Sequence, residues 1–378
     1  MKKIGIGLIG LGMIAEYHIK VYMDYAEEIN GSLVAFCDTE QELLEKWGKA
    51  AGVTKLYTDY RDMLRDEGVD AVFVLTPHHL HHKMTIDAVN AGKHVGVEKC
   101  FATTLKDADE MIAAAKAKGV KLMLLENCVF DPSVMKAKEL IENGEIGNLT
   151  MIRVTLGQGT GPMFPEEPEK FSKAFHGYYN VANQLTATGD WRFDPCKMGG
   201  GRFYDCGHHR FAVARYLGGE IEEIFCMIKY ANDGIMDREY SSITSFKYAD
   251  SYAVGSFDEH FGAPISIFET GGSPFDDRVE IIGDKGVLWL NGVEGRLQMK
   301  APLIHYKDGI SISYENMECG YEAAFKHENR EFVDAVLENR EPSCSGEDGK
   351  KLLQVIKAAY QSAAENRTVK VCEATDEY

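Results

Sequence analysis

"GLIGLGMIAEYH", residues 7–18, decides how this chain is read. Gly10, Gly12 and Ala15 form a G-x-G-x-x-A arrangement directly after a short apolar run and at the start of a helix-like stretch. Gly10 permits a tight turn and Gly12 lets backbone approach a pyrophosphate. The first N–H groups of the helix, at Met13 and Ile14, offer a positive dipole end. Asp38 closes the next apolar run, LVAFCD, roughly 20 residues on, where an acid accepts hydrogen bonds from an adenosine ribose. It would repel a 2′-phosphate and no Arg follows it, which favours NAD(H) over NADP(H). The glycines also fit an ordinary strand-to-helix turn, and Asp38 also fits a helix cap before TEQELL; the two roles of Asp38 are compatible.

Working outward, apolar runs (IGIGLIG, LVAFCD, DAVFVLT, KHVGVEK, KLMLLEN) alternate with helix-like stretches up to about residue 125. Ala108, Met111, Ile112 and Ala115, for example, share one helical face. This is the pattern of βαβ units and a parallel sheet, so the fold class is α/β with an N-terminal Rossmann domain over 1–127. The rhythm changes after Phe130. PSVMKAKELIENGEIGN reads as a helix ended by glycine, and the Gly/Pro-rich stretch 157–168 as loop. Beyond residue 220 come successive strands: IEEIFCMIKYA, SSITSFKYAD, SYAVGSFDEHF, ISIFETG, RVEIIGDKGVLWLN and RLQMK. With tight turns such as GDKG at 283–286, they predict a large, mostly antiparallel open sheet in an α+β domain over 128–378. Two helices close the chain, around 321–339 and 346–366.

The composition, with 45% hydrophobic and 26% charged residues, is that of a globular protein able to bury sizeable cores. A net charge of -18 argues against a general grip on nucleic acid, which needs clustered Lys and Arg. MKKIGIGLIGLG opens with two lysines and an apolar run, as a signal peptide does. Its recurring glycines and missing cleavage site favour a strand, and a cytoplasmic protein. No stretch reaches the length of a membrane helix. Nine scattered cysteines without a C-x-x-C pair suit reduced thiols, mostly in the core.

Taken in order, Gly10, Gly12 and Ala15, Asp38, TPHHLH (76–81), GKHVGVEK (92–99), ENCVFDP (126–132) and GGGRFYDCGHH (199–209) resemble the Gfo/Idh/MocA oxidoreductases. The resemblance covers roughly the first 210 residues; the later strands fit the family's second domain with few identifying motifs. It implies that Glu98 and Lys99 lie beside the nicotinamide, with Thr76, Pro77, His81 and Asn127 near the cofactor. Lys99 would hydrogen-bond a substrate hydroxyl. Read without that resemblance, Glu98 and Lys99 fit a solvated pair at a strand end. The chain departs from the family's usual E-K-P at Cys100; losing proline removes a fixed φ and frees an N–H.

His78 and His82 of HHLHH would share a helical face, which raises and does not establish a metal reading; no metal is expected. In GGGRFYDCGHH the family pattern matches Asp205, Gly207 and His209. Asp205 and His209, four apart, share a face if the segment is helical. The glycines are expected to let the turn fit against the cofactor. Asp205 as a helix cap with His209 packed in the interior is the alternative. Trp191, Arg192, Tyr178, Tyr179, Asn183 and His208 are candidate substrate contacts.

The resemblance thus implies an NAD-dependent oxidoreductase acting on a secondary alcohol of a sugar, polyol or glycoside, with Lys99, Asp205 and His209 as catalytic residues. Two other functions fit the same residues: a glycoside-cleaving or eliminating enzyme that uses NAD transiently, and a non-catalytic NAD-binding sensor. The partners expected are a small carbohydrate and further copies of the chain, as a homodimer or homotetramer, because an open sheet face needs cover.

Overall fold

The computed structural model describes residues 3–159, 191, 194–232, 237–262, 275–292 and 301–378. In its first part it runs β1 (Ile4–Ile9), α1 (Met13–Ile29), β2 (Gly31–Cys37), α2 (Gln41–Ala51), β3 (Leu56–Tyr57), α3 (Tyr60–Leu64), β4 (Ala71–Val74), α4 (His78–Asn90), β5 (His94–Glu98), α5 (Leu105–Lys118), β6 (Leu122–Leu125) and α6 (Pro132–Glu142). There follow β7 (Leu149–Gly159), α7 (Arg202–Gly218), β8 (Ile221–Asn232), β9 (Asp237–Tyr248), β10 (Val254–Gly262), β11 (Phe275–Gly283) and β12 (Gly286–Asn291). The chain closes with β13 (Leu303–Lys307), β14 (Ile310–Tyr314), α8 (Tyr321–Leu337), α9 (Gly346–Glu365) and β15 (Val369–Lys370).

Two compact units result. One holds Met1–Asn127, Cys196–Gly199 and Ala324–Leu353; the other holds Cys128–Pro195, Gly200–Ala323 and Gln354–Tyr378. A single boundary after residue 127 therefore does not describe the chain, because most of α8 returns to the first unit. Its apolar stripe of Ala324, Phe325, Phe332 and Val333 is fully buried there, with the Phe332 ring 5.0 Å from that of Phe73 in β4.

The first unit is a six-stranded parallel sheet in the order β3-β2-β1-β4-β5-β6. Every residue of β1, β4 and β6 is buried, as expected of strands covered on both faces, which is why they read as unbroken apolar runs. The order reverses beside β1, and ligands of such sheets bind outside the carboxyl ends at that switch point.

The second unit is a nine-stranded sheet, β14-β13-β12-β11-β7-β10-β9-β8-β15, antiparallel except for the β7–β10 pair. Helix α7 packs on one face through aromatics: Phe203 stacks on Phe257 at 5.9 Å, and Phe211 meets Phe246 and Phe257 edge-on. Two sequence expectations shift. The central strand β7 was not anticipated: its apolar alternation (Ile152, Val154, Leu156) is short, and its residues 157–159 were read as loop. Strands β3, β13, β14 and β15 were not anticipated either; β3 and β15 are two residues long, and β14 is exposed except at Tyr314. The segments ISIFETG and RLQMK lie outside the described residues.

Candidate active site

At the glycine turn, Gly10 has φ +94°, a conformation that penalises any side chain, and a Cβ there would stand 2.8 Å from the Leu75 carbonyl oxygen. Gly12 differs: a Cβ built on it meets no protein atom within 4 Å. It is the exposed N-cap of α1, makes no side-chain cap, and precedes the N–H groups of Met13 and Ile14, which have no intrahelical acceptor. Bare backbone, an uncapped helix start and open space above them suit a dianionic pyrophosphate. Asp38 stands beside this turn. Its Oδ2 accepts the Leu11 N–H at 2.6 Å and its Oδ1 the Glu40 N–H at 2.9 Å. These bonds fix the half-exposed carboxylate against the glycine turn and leave lone pairs for ribose hydroxyls. Asp38 is not the cap of α2; Glu40 holds that position.

The ends of β4, β5 and β6 supply the other candidates. Thr76 and Pro77 are partly exposed after β4, with Pro77 as the N-cap of α4. Lys99 is half-buried at the end of β5 and its peptide to Cys100 is cis. Cys100 is itself buried. Glu98 turns inward: it is 6% exposed and its Oε2 accepts the Lys99 N–H at 2.8 Å. Asn127 opens a buried 3₁₀ turn after β6.

His81 is tied into the fold at this edge. It is fully buried, with Nδ1 2.9 Å from the Cys100 carbonyl and Nε2 2.8 Å from the Thr76 carbonyl. Both ring nitrogens are committed, so the side chain ties the β4 and β5 ends together and offers no polar atom to a ligand. Burial holds its pKa below the usual imidazole value although both carbonyls favour the proton. The other histidines of HHLHH part company too. His78 Nδ1 meets the Met198 carbonyl at 2.8 Å, whereas His82 Nε2 meets Glu110 at 2.8 Å on the outer side of α4.

In the second unit, Arg202–Gly218 is helical, so Asp205 and His209 are one turn apart; Asp205 is half-buried, and His208 and His209 are buried. Asp205 is not a cap, because Gly201 holds that position. The glycines have a partner the sequence did not suggest. A Cβ on Gly201 would fall 2.0 Å from Glu239 Oε2. That buried carboxylate instead accepts the Arg202 N–H at 2.8 Å and the Tyr360 hydroxyl at 2.7 Å. The start of α7 is thus charged by the protein's own anion. Two buried ion pairs, Arg202–Glu259 at 2.6 Å and Arg210–Asp277 at 3.1 Å, fasten the same helix to the sheet. Trp191 is partly exposed; Tyr178, Tyr179, Asn183 and Arg192 lie outside the described residues.

Sequence reasoning missed a polar cluster behind the β5 end: His18, Glu126, Glu328 and Asn329, each fully buried. A signal existed, for Glu328 and Asn329 sit on the apolar stripe of α8 between Phe325 and Phe332, where polar residues need a reason.

Comparison with known proteins agrees with this geometry. Residues 4–125 match the model of the Gfo/Idh/MocA oxidoreductase family, NAD-binding Rossmann fold, and residues 134–289 match a Gfo/Idh/MocA C-terminal domain. Myo-inositol 2-dehydrogenase of Thermotoga maritima is 29% identical over 377 residues, 97% of this chain and 98% of its own. D-apiose dehydrogenase of Paraburkholderia graminis is 26% identical over 390 residues, 98% and 90% of the two chains. Levoglucosan dehydrogenase in complex with NADH and levoglucosan superposes with a TM-score of 0.81 at 23% identity, covering 98% of this chain and 99% of that one. A dinucleotide cradle at the switch point of a Rossmann sheet, followed by an open antiparallel sheet, and family matches over both parts lead to one assignment: the chain belongs to the Gfo/Idh/MocA family of NAD-binding oxidoreductases.

Proposed function

We propose that this protein is an NAD-dependent dehydrogenase of a secondary alcohol in a sugar, polyol or glycoside. One observation carries the reading: the carboxyl ends of β1, β2, β4, β5 and β6 bring Gly12, Asp38, Thr76, Lys99 and Asn127 to one edge of the sheet. The relatives named for inositol, apiose and levoglucosan dehydrogenation support a polyhydroxylated substrate. The cofactor fits the residues present, with Gly12, Met13 and Ile14 at the pyrophosphate and Asp38 at the ribose. Bound NAD supplies the hydride acceptor.

The protein's own part is positioning and proton handling. Oxidation breaks a C–H and an O–H bond and makes a C=O. Lys99 donates a hydrogen bond to the reacting oxygen, His209 takes its proton as general base, and Asp205 stabilises the imidazolium so formed. Trp191 and His208 contact the remaining hydroxyls. A screen of inositols, sugars and glycosides for NADH absorbance tests this reading. Net NADH with one class supports it; product without net NADH would replace it by transient oxidation and elimination, and no turnover with any class would overturn it.

We infer that the sheet of the second unit pairs with a further copy. Met227 and Ile243, register partners on β8 and β9, are 52% and 57% exposed, an apolar pair that association would cover. All nine cysteines are free thiols, which suits a reducing compartment, and we assign the protein to the cytoplasm. Among the described residues, no helix is long and apolar enough to cross a membrane.

A further inference from the structure

The strand end that carries Lys99 is backed by a buried polar arrangement drawn from α1 and α8. His18 on α1 is fully buried, enclosed by Phe73 at 5.1 Å and by Phe325 edge-on at 4.9 Å. Its Nδ1 lies 3.0 Å from Asn329 Oδ1. The orientation of that amide is fixed, because Asn329 Nδ2 donates to the Phe325 carbonyl at 2.7 Å. An amide oxygen only accepts, so Nδ1 of His18 is the N–H. In a neutral ring Nε2 would then hold a lone pair. Nε2 is buried, makes no hydrogen bond, and faces Glu98 Oε1 at 3.8 Å. A lone pair opposed to a buried carboxylate is a repulsion, and a proton on Nε2 turns it into an ion pair.

We propose that His18 carries a proton on Nε2 directed at Glu98, and that this ion pair, braced from α8 by Asn329, is a positioning device for Lys99. The route is continuous. Asn329 holds the ring, the ring holds Glu98 Oε1, and Glu98 Oε2 accepts the Lys99 N–H, the backbone from which the lysine side chain departs. The titratable groups facing the pair are Glu328, whose carboxyl Glu98 and Glu126 both push up, then Tyr22 beside Glu328, and His81 toward Glu98. Burial pushes the Glu328 carboxyl well up, and the His18 cation offsets Glu98 in a region otherwise rich in acids. Removing the proton would leave a buried carboxylate against a lone pair and loosen the strand end.

The role assigned to Lys99 rests on the proposed function; the protonation of His18 does not, and the test separates them. Nitrogen NMR of histidine rings in the full chain, without cofactor or substrate, reads the proton directly, with His18 identified by the signals lost in His18→Gln. Both ring nitrogens are expected to be protonated at neutral pH. In Glu98→Gln, whose amide can donate in place of the proton, Nε2 should lose it. An unprotonated Nε2 or Nδ1 in the wild type would overturn the proposal.

The positioning role is read in the dehydrogenase assay. Asn329→Leu should lower kcat by about tenfold, less than the 10²-fold that a 1 Å misplacement costs, with NAD affinity unchanged. The alkaline limb of its pH profile should move to lower pH, and Asn329→Asp, which keeps an acceptor at Nδ1, should restore both. A folded Leu variant with unchanged kcat and pH profile would overturn the positioning role. If that variant does not fold, an Asp variant whose alkaline limb fails to lie at or above the wild-type position overturns it equally.

Discussion

Two glycines two residues apart should fail in opposite ways when substituted. Gly12→Val places a side chain where no protein atom lies within 4 Å, so the fold has nothing to clash with. The remaining cost is a poorer N-cap on α1, about 0.5–1 kcal/mol. Gly10→Ala forces φ +94° on a residue with a Cβ and drives it to 2.8 Å from the Leu75 oxygen, costing about 1–3 kcal/mol before any ligand is added. Thermal melts with and without NAD separate the two. At 100 times its Kd, NAD stabilises the folded protein by about 2.7 kcal/mol, roughly 5–10 °C for a unit of this size. Gly12→Val should melt within a few degrees of the wild type without NAD and lose the NAD-dependent rise. Gly10→Ala should melt early in either condition. A Gly12→Val protein that kept the full NAD shift would show that the pyrophosphate does not pass over this residue, and the cofactor assignment would fall with it.

Cofactor choice follows from Asp38: calorimetry should show NAD bound more tightly than NADP, with Asp38→Ser narrowing the difference. Equal or tighter NADP binding by the wild type would contradict the ribose assignment. Glu328 gives a pH-dependent signature. Burial raises its folded carboxyl well above the unfolded one, which ionises from about pH 4.5, so wild-type stability falls as pH rises above that value. Glu328→Gln should therefore melt higher than the wild type at neutral pH, and the two should converge toward pH 4; parallel curves would refute the raised carboxyl. On assembly, light scattering at micromolar concentration should show a multimer of the 42.1 kDa chain, which Ile243→Glu dissociates. A wild-type monomer would remove that proposal.

The parallel sheet was legible where its strands are buried on both faces and its turns carry glycines, and not at β3, whose two half-exposed residues make no apolar run. The antiparallel sheet was legible where strands alternate, as in β9, and not at β14, whose exposed residues have no apolar period. Motif residues were visible one by one, but their partners were not. Neither the ring of His81 bridging two strand ends, nor Glu239 filling the start of α7, nor the pairing of His18 with Asn329 across 311 positions leaves a local trace. Long-range polar pairing is a property of the packed chain, and only polar residues on an apolar stripe, as at Glu328, hint at it. The same holds for α8: its helical period is plain in the sequence, its return to the first unit is not.

The central claim is that Lys99 and His209 manage the substrate proton while other residues hold the cofactor. It is tested most directly by measuring turnover and NAD affinity separately in Lys99→Met and His209→Ala on a verified substrate, with melts to show that both variants fold. The account predicts NAD affinity close to wild type and kcat reduced by roughly 10²- to 10⁴-fold in each, the usual worth of general acid–base catalysis. Near-normal turnover in both folded variants would contradict it and leave these residues as structural neighbours of the cofactor.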